Sequence, residues 1–210
     1  INMKIDKIRF KAFLEKNYEK FNNTSFINND PISIPHMFSK KEDVEISGFM
    51  TSCISWGNRK SIIKNANSII SRMGFSPYDF IMNFNENDLL TMRGFVHRTF
   101  NEKDLIYFLY SLKNIYKIHG GLEEVFNIGY QKDETVKSAI IHFRKIFFEI
   151  ERKHNSYRHI SDVTKKSAAK RLNMFLRWMV RKDDKGVDFG LWKNISPANL
   201  KIPLDVHVGN

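Results

Sequence analysis

Two residues near the end of the chain have types that could do chemistry together. Lys170 opens the basic, aromatic run KRLNMFLRWMVRK, and Asp205 lies in IPLDVHVGN. The macrodipole disfavours a cation in a helix's first turn, and an amine held neutral is a nucleophile able to form a Schiff base with an aldehyde-like carbon. Asp205 is flanked by Leu204 and Val206, apolar neighbours that imply a carboxylate at an interior or a cleft. On residue chemistry alone, the lysine also reads as a surface charge, and the aspartate as the cap of a final helix containing His207 and Val208.

The elements that must position this pair are helical. Ser167 is expected to cap the helix that carries Lys170. Along that helix Leu172, Phe175, Leu176 and Met179 form one stripe at spacings of three and four, and Lys170, Met174, Arg177 and Arg181 form another. The first stripe faces a core. The second, broadened by Arg171 and Trp178, suits phosphates combined with a stacking surface, or else it is a solvated basic face.

Upstream, Lys4 to Phe21 carries Ile5, Ile8, Phe13, Leu14, Tyr18 and Phe21 at mostly helical spacing, which predicts an amphipathic helix. Asn22 to Lys40, with Pro31 and Pro35, reads as an ordered loop or connector. Ser39 with Glu42 has the form of a capping box for a helix running to Trp56, where Gly57 stops it. Asn58 then caps a second helix that ends at Gly74, and the two make a helical hairpin. Ser76-Pro77 starts a short helix and Asn85 to Met92 another. Glu102 to His119 is a core helix ending at Gly120-Gly121, and Leu122 to Tyr130 follows it. Asp133 is expected to cap a helix reaching Ile150. No segment alternates with period two for long, so the fold class is all-α.

Composition limits what such a chain does. With 42% hydrophobic and 13% aromatic residues in 210 positions it can bury a large core, as one domain or a two-lobed domain. The formal charge of +11 favours a polyanionic partner, nucleic acid first, although lysine-rich surfaces also serve solubility. Cys53 is the single cysteine, which excludes an internal disulfide and a thiolate metal site. The seven histidines are scattered and no carboxylate cluster has ligand spacing, so no metal is expected. The lone cysteine fits a reducing cytoplasm, and no apolar run reaches the roughly 20 residues of a membrane helix, which points to a soluble protein with no membrane partner.

The segment IPLDVHV resembles the V-D-T-H-V segment of the helix-hairpin-helix DNA glycosylases, the superfamily of endonuclease III and the 8-oxoguanine glycosylases. Phe49 to Ile62, FMTSCISWGNRKSI, is similar to that superfamily's early helix-turn-helix. The whole chain, with DPISIPHMF, RLNMFLRWMVR and IPLDVHVGN, resembles more closely a bacterial family described only as a domain of unknown function.

The glycosylase resemblance implies a two-lobed helical fold with a helix-hairpin-helix-like element. It implies a catalytic lysine at Lys170 and a catalytic aspartate at Asp205, in a cleft shared with the Ser52 to Arg59 turn. Ser55, Trp56 and His207 would belong to the base pocket. Duplex DNA with a damaged base would be held by Lys165, Lys166, Ser167, Arg171, Arg177 and Arg59. The sequence before Lys170 reads DVTKKSAAK where the superfamily has the glycine-rich L-P-G-V-G-R-K. The iron–sulfur cysteine cluster of endonuclease III is missing, so no cofactor is expected, nor an obligate protein partner. The chain would also lack the superfamily's helices beyond the aspartate. The activity implied is base excision with possible strand cleavage. A non-catalytic nucleic-acid-binding protein on the same scaffold, or a helical protein-interaction module, are the alternatives.

Overall fold

The computed structural model describes residues 6–151 and 156–202. Eight α-helices carry the described fold: α1 (Lys7–Phe21), α2 (Lys41–Cys53), α3 (Arg59–Arg72), α4 (Pro77–Asn83), α5 (Glu102–Ile118), α6 (Leu122–Tyr130), α7 (Val136–Phe147) and α8 (Lys170–Val180). The only strands among the described residues are β1 (Val96–His97) and β2 (Phe100–Asn101), an antiparallel pair that pairs His97 with Phe100. The all-α expectation stands with this one small hairpin added.

Helix α2 is the centre. Every residue from Val44 to Cys53 is buried, because α8, α3 and α4 pack around it. A helix apolar on one face only could not be so enclosed; here the other side carries the small residues Ser47, Gly48, Thr51 and Ser52, and α8 packs against Gly48 through Met179 and Phe175. The Phe49 ring lies between 5.4 and 6.0 Å from Phe108, Phe143, Phe147 and Phe175, joining α5, α7 and α8. Truncating such a ring costs about 3–5 kcal/mol. Cys53 sits in this core, and burial pushes its thiol up to about 12.

Helices α6 and α7 form the tightest pair. A side chain at Gly129 would meet His142 Cβ at 2.6 Å and Ala139 Cα at 2.8 Å, so only glycine allows the two backbones this close.

After α8 the chain turns back over the core without forming another α-helix among the described residues. Phe189 N donates to Trp178 O at 2.8 Å and Trp192 N to Met179 O at 2.9 Å. The Trp192 indole donates to Glu45 at 2.7 Å, and the Tyr116 hydroxyl donates to the same carboxylate at 2.7 Å. Burial raises the pKa of Glu45, and these two donors oppose that shift. Asn199 Nδ2 donates to Tyr130 OH at 2.7 Å and Glu134 O at 2.9 Å. The stretch from Arg181 to Ile202 is thus a strap bound to α2 and α6.

Several local expectations change. Ser39 does not cap α2: Lys40 is the extended residue before the helix, without a side-chain cap, and its ammonium lies 4.1 Å over the Tyr78 ring. That helix ends at Cys53, short of Trp56. Thr135, not Asp133, caps α7; Asp133 accepts from Thr135 N, Thr135 Oγ1 and Ser138 Oγ, and so supports the cap. The predicted connector from Asn22 to Lys40 contains three short 3-10 turns, Thr24–Asn29, Pro31–Ser33 and Pro35–Met37. The helix expected from Asn85 to Met92 is a 3-10 turn over Asp88–Met92. Asn58 does cap α3, accepting from Ser61 N at 3.2 Å.

Candidate active site

Lys170 is the first residue of α8, and the backbone before it is unusual. Lys166 (φ 61°) and Ala169 (φ 45°) both lie in the left-handed region that favours glycine. Ser167 is not the cap. Its hydroxyl accepts from Ala169 N at 3.2 Å, one step before the helix, and Ala169 occupies the cap position with no side-chain bond. The turn is clamped instead by Asn173, whose buried amide donates to Ala168 O at 2.9 Å and Ala169 O at 3.2 Å. Asp162 starts the turn by accepting from Thr164 N at 3.0 Å.

The two stripes of α8 face different surroundings. Leu172, Phe175, Leu176 and Met179 are buried in the core. Lys170, Met174, Arg177 and Arg181 line one wall of a cavity of about 730 Å³; Ser55, from the turn after α2, joins them, and Pro197, Leu200 and Ile202 of the strap face them. That volume lies within the range of small-molecule pockets, about 300–1,000 Å³. A second cavity of about 570 Å³ lies alongside. It shares Asn173, Lys201 and Ile202 with the first and adds Lys137, Lys166 and Ser167. The floor of both is therefore strongly cationic.

The charge of that wall is partly compensated from behind. Asp188 on the strap is buried between two arginines: Arg177 Nη2 lies 3.4 Å from Oδ1, and Arg181 Nε donates to Oδ2. Arg181 also donates to Asn22 Oδ1 at 2.6 Å. Burial raises the pKa of Asp188, against the pull of Arg177 and then Arg181. This carboxylate holds both guanidinium groups against the cavity wall, where unpaired side chains of that length would be mobile.

Of the residues expected at the site, Lys170, Arg171, Arg177 and Ser55 meet at the large cavity, and Lys166 and Ser167 at its neighbour. Lys165 is exposed on the turn before α8, and Arg59 is exposed at the start of α3, lining neither cavity. Trp56 is half-buried, with the Arg171 guanidinium 4.8 Å from its ring centre and His97 and His159 against it. Trp178, expected to widen the basic face, is instead 0% exposed, because the strap covers that side of α8. Asp205 and His207 lie outside the described residues. Asp188, Asn173, Pro197 to Ile202 and the pair Arg158 and His159 went unremarked in the sequence. An aspartate placed between two glycines just after a cationic helix was the signal available for Asp188.

Among the described residues no three histidine, cysteine, aspartate or glutamate side chains cluster as metal ligands, and no helix is long and apolar enough to cross a membrane. Residues 30–210 match the family described as "Protein of unknown function (DUF2400)". No curated protein and no solved structure matches the chain.

Proposed function

The chain belongs to that DUF2400 family, and we propose that it is a base-excision DNA glycosylase with lyase activity, whose nucleophile is Lys170. The observation that carries this reading is the meeting of Lys170, the turn after α2 and a cationic wall around one cavity large enough for a nucleoside. The resemblance to helix-hairpin-helix glycosylases supplies the same three parts. In this reading the left-handed turn from Asp162 to Ala169 stands where the superfamily has its hairpin, and the strap faces α8 across the cleft between two lobes.

A base inside a duplex shields its glycosidic carbon, so the target nucleotide must leave the stack, at a cost of a few kcal/mol that is least for damaged or mismatched pairs. The extruded nucleoside enters the cavity with its flanking phosphates on Lys165, Lys166, Ser167, Arg171 and Arg177. The Lys170 amine attacks C1′, the bond to the base breaks, and the base leaves with the bonding electron pair and takes up the proton that the nitrogen gives up. Asp205, assigned by resemblance, stabilises the positive charge that the sugar gains as the base departs. Opening of the C1′–O4′ bond, with the remaining nitrogen proton passing to O4′, gives an imine between Lys170 and C1′; loss of a C2′ proton then expels the 3′ phosphate and cuts the strand.

Borohydride reduction is the direct test, since it converts such an imine into a stable amine. Wild-type protein should become covalently attached to lesion-bearing duplex, Lys170→Gln should abolish attachment, and Asp205→Asn should slow product formation while leaving binding within about twofold. Attachment that survives Lys170→Gln would assign the chemistry to another amine. Tight duplex binding without product on any lesion would leave a non-catalytic DNA-binding protein.

A further inference from the structure

We propose that the small open cavity lined by Arg158, His159, Arg171, Trp56 and Thr99 is a second anion site, which takes an internal phosphodiester of the DNA backbone next to the extruded nucleotide. This rests on the reading of the larger cavity as the nucleotide pocket. The site itself is argued from Arg171 and from the buried carboxylate behind Arg158.

Arg171 lines both cavities. Its guanidinium is partly buried, donates to Cys53 O and lies over Trp56. Among the described residues no carboxylate pairs with it, although Arg177 of α8 and Arg181 just beyond the helix share Asp188. Burial lowers the pKa of Arg171, so the surroundings penalise its charge. A guanidinium enclosed without an anion is costly, and a ligand anion removes that cost.

The opposite side of the cavity is built on Asp104. This side chain is 0% exposed at the start of α5, where it completes a capping box with Asn101. Ser156 Oγ donates to its Oδ1 at 2.9 Å, His159 Nε2 lies 3.2 Å from Oδ2, and Arg158 Nη2 lies 3.7 Å from Oδ2. Arg158 is also fixed by Thr99 O at 2.9 Å and by His159 Nε2 at 3.0 Å. Its side chain is nevertheless 57% exposed, so donors remain for a ligand. Burial lowers the pKa of His159, more than Asp104 raises it. Two guanidinium groups line the cavity, and the Asp104 carboxylate stands behind only one of them, so the lining itself is cationic.

Size and donor type select the ligand. At about 280 Å³ the space is under half that of the large cavity. Two guanidinium groups offer planar, forked donors, the geometry that fits phosphate oxygens. Because the two cavities share Arg171, a phosphate held here belongs to the backbone adjoining a nucleotide held there.

Fluorescence anisotropy across a salt series, on duplexes carrying a stable abasic analogue and on undamaged duplex, tests the site. Arg158→Gln and Arg171→Gln should each weaken binding to the abasic-analogue duplex by about tenfold and flatten the log–log salt slope by about one unit. A single uncharged methylphosphonate, walked along the phosphates flanking the lesion, should reproduce that loss at one position in the wild type and cost nothing more in Arg158→Gln. Thermal melts identify any variant that fails to fold; Arg158→Gln, at a half-exposed position, carries the test if Arg171→Gln does not fold. Methylphosphonate effects that are the same in wild type and Arg158→Gln at every position would overturn the proposal. So would a duplex that binds better only when its strand end carries a 5′ phosphate, which would place a terminal phosphate there instead. If the coupling is found but borohydride attachment is not, the phosphate site stands and the glycosylase reading falls.

Discussion

His97 shows how one buried side chain sets a pH response. Its Nδ1 accepts from Asn65 Nδ2 at 2.8 Å and its Nε2–H donates to Trp56 O at 3.2 Å, so both ring nitrogens are committed to the neutral form. Burial pushes its pKa below the usual histidine value, and Arg98 adds to this. His159 and His142 are shifted the same way, also chiefly by burial. Below about pH 6.5 the unfolded chain takes up protons that the folded chain refuses. Stability is therefore full above that value and is lost as pH falls through it, by up to about 1.4 kcal/mol per pH unit for each histidine. Thermal melts between pH 7.5 and 5 should show that loss. Asn65→Asp, which puts an acceptor where Nδ1 now finds a donor, should destabilise at pH 7.5 and flatten the acid-side fall; a steeper fall would refute the bonding assigned to His97.

At the scale of elements, the turn into α8 stores strain that one substitution should release. Ala169 holds φ 45° with no compensating side-chain bond, and Ala169→Gly should stabilise the fold by about 0.5–1 kcal/mol, read as a higher denaturant midpoint with an unchanged slope. The helices themselves were legible, because a core face repeats at three and four residues and leaves its mark in Leu172, Phe175, Leu176 and Met179. Their caps were less so. Ser39, Asp133 and Ser167 all have capping chemistry, but the backbone places the cap position one or two residues beyond each. Trp178 was misjudged and Asp188 went unseen for a shared reason. The strap that binds the backbone of α8 and supplies Asp188 to Arg177 has no period, and contacts between such a segment and a helix leave no local pattern. That Lys170, Arg171 and Ser55 line one cavity was legible because the resemblance brought α2 and α8 together, which residue spacing alone does not.

For the whole molecule, the division is between a packed body and an attached helix. None of the residues of α1 is buried, and Ile8, Phe10, Phe13, Leu14 and Phe21 are about half exposed or more. Its ties to the body are Tyr18 OH donating to Asp183 at 3.2 Å, Lys185 with Glu19 at 3.1 Å, and Arg181 near the Tyr18 ring at 5.8 Å. Exposed contacts of that kind are screened by water and hold weakly. A chain beginning at Phe21, which keeps Asn22 on Arg181 and Asp183, should lose no more than about 2 kcal/mol in urea unfolding, and a larger loss would show that α1 is part of the cooperative unit. The strap has the opposite standing, since it supplies one wall of the large cavity yet is made after every helix it packs against. Chains fold from the N-terminal side as they emerge, at about 5–20 residues per second. The body around α2 can therefore form while Pro197 to Ile202 are still being added, and the wall facing Lys170 is put in place only when Asn199 reaches Tyr130. During synthesis the newly made chain is thus a folded body first and gains the second wall of its large cavity afterwards.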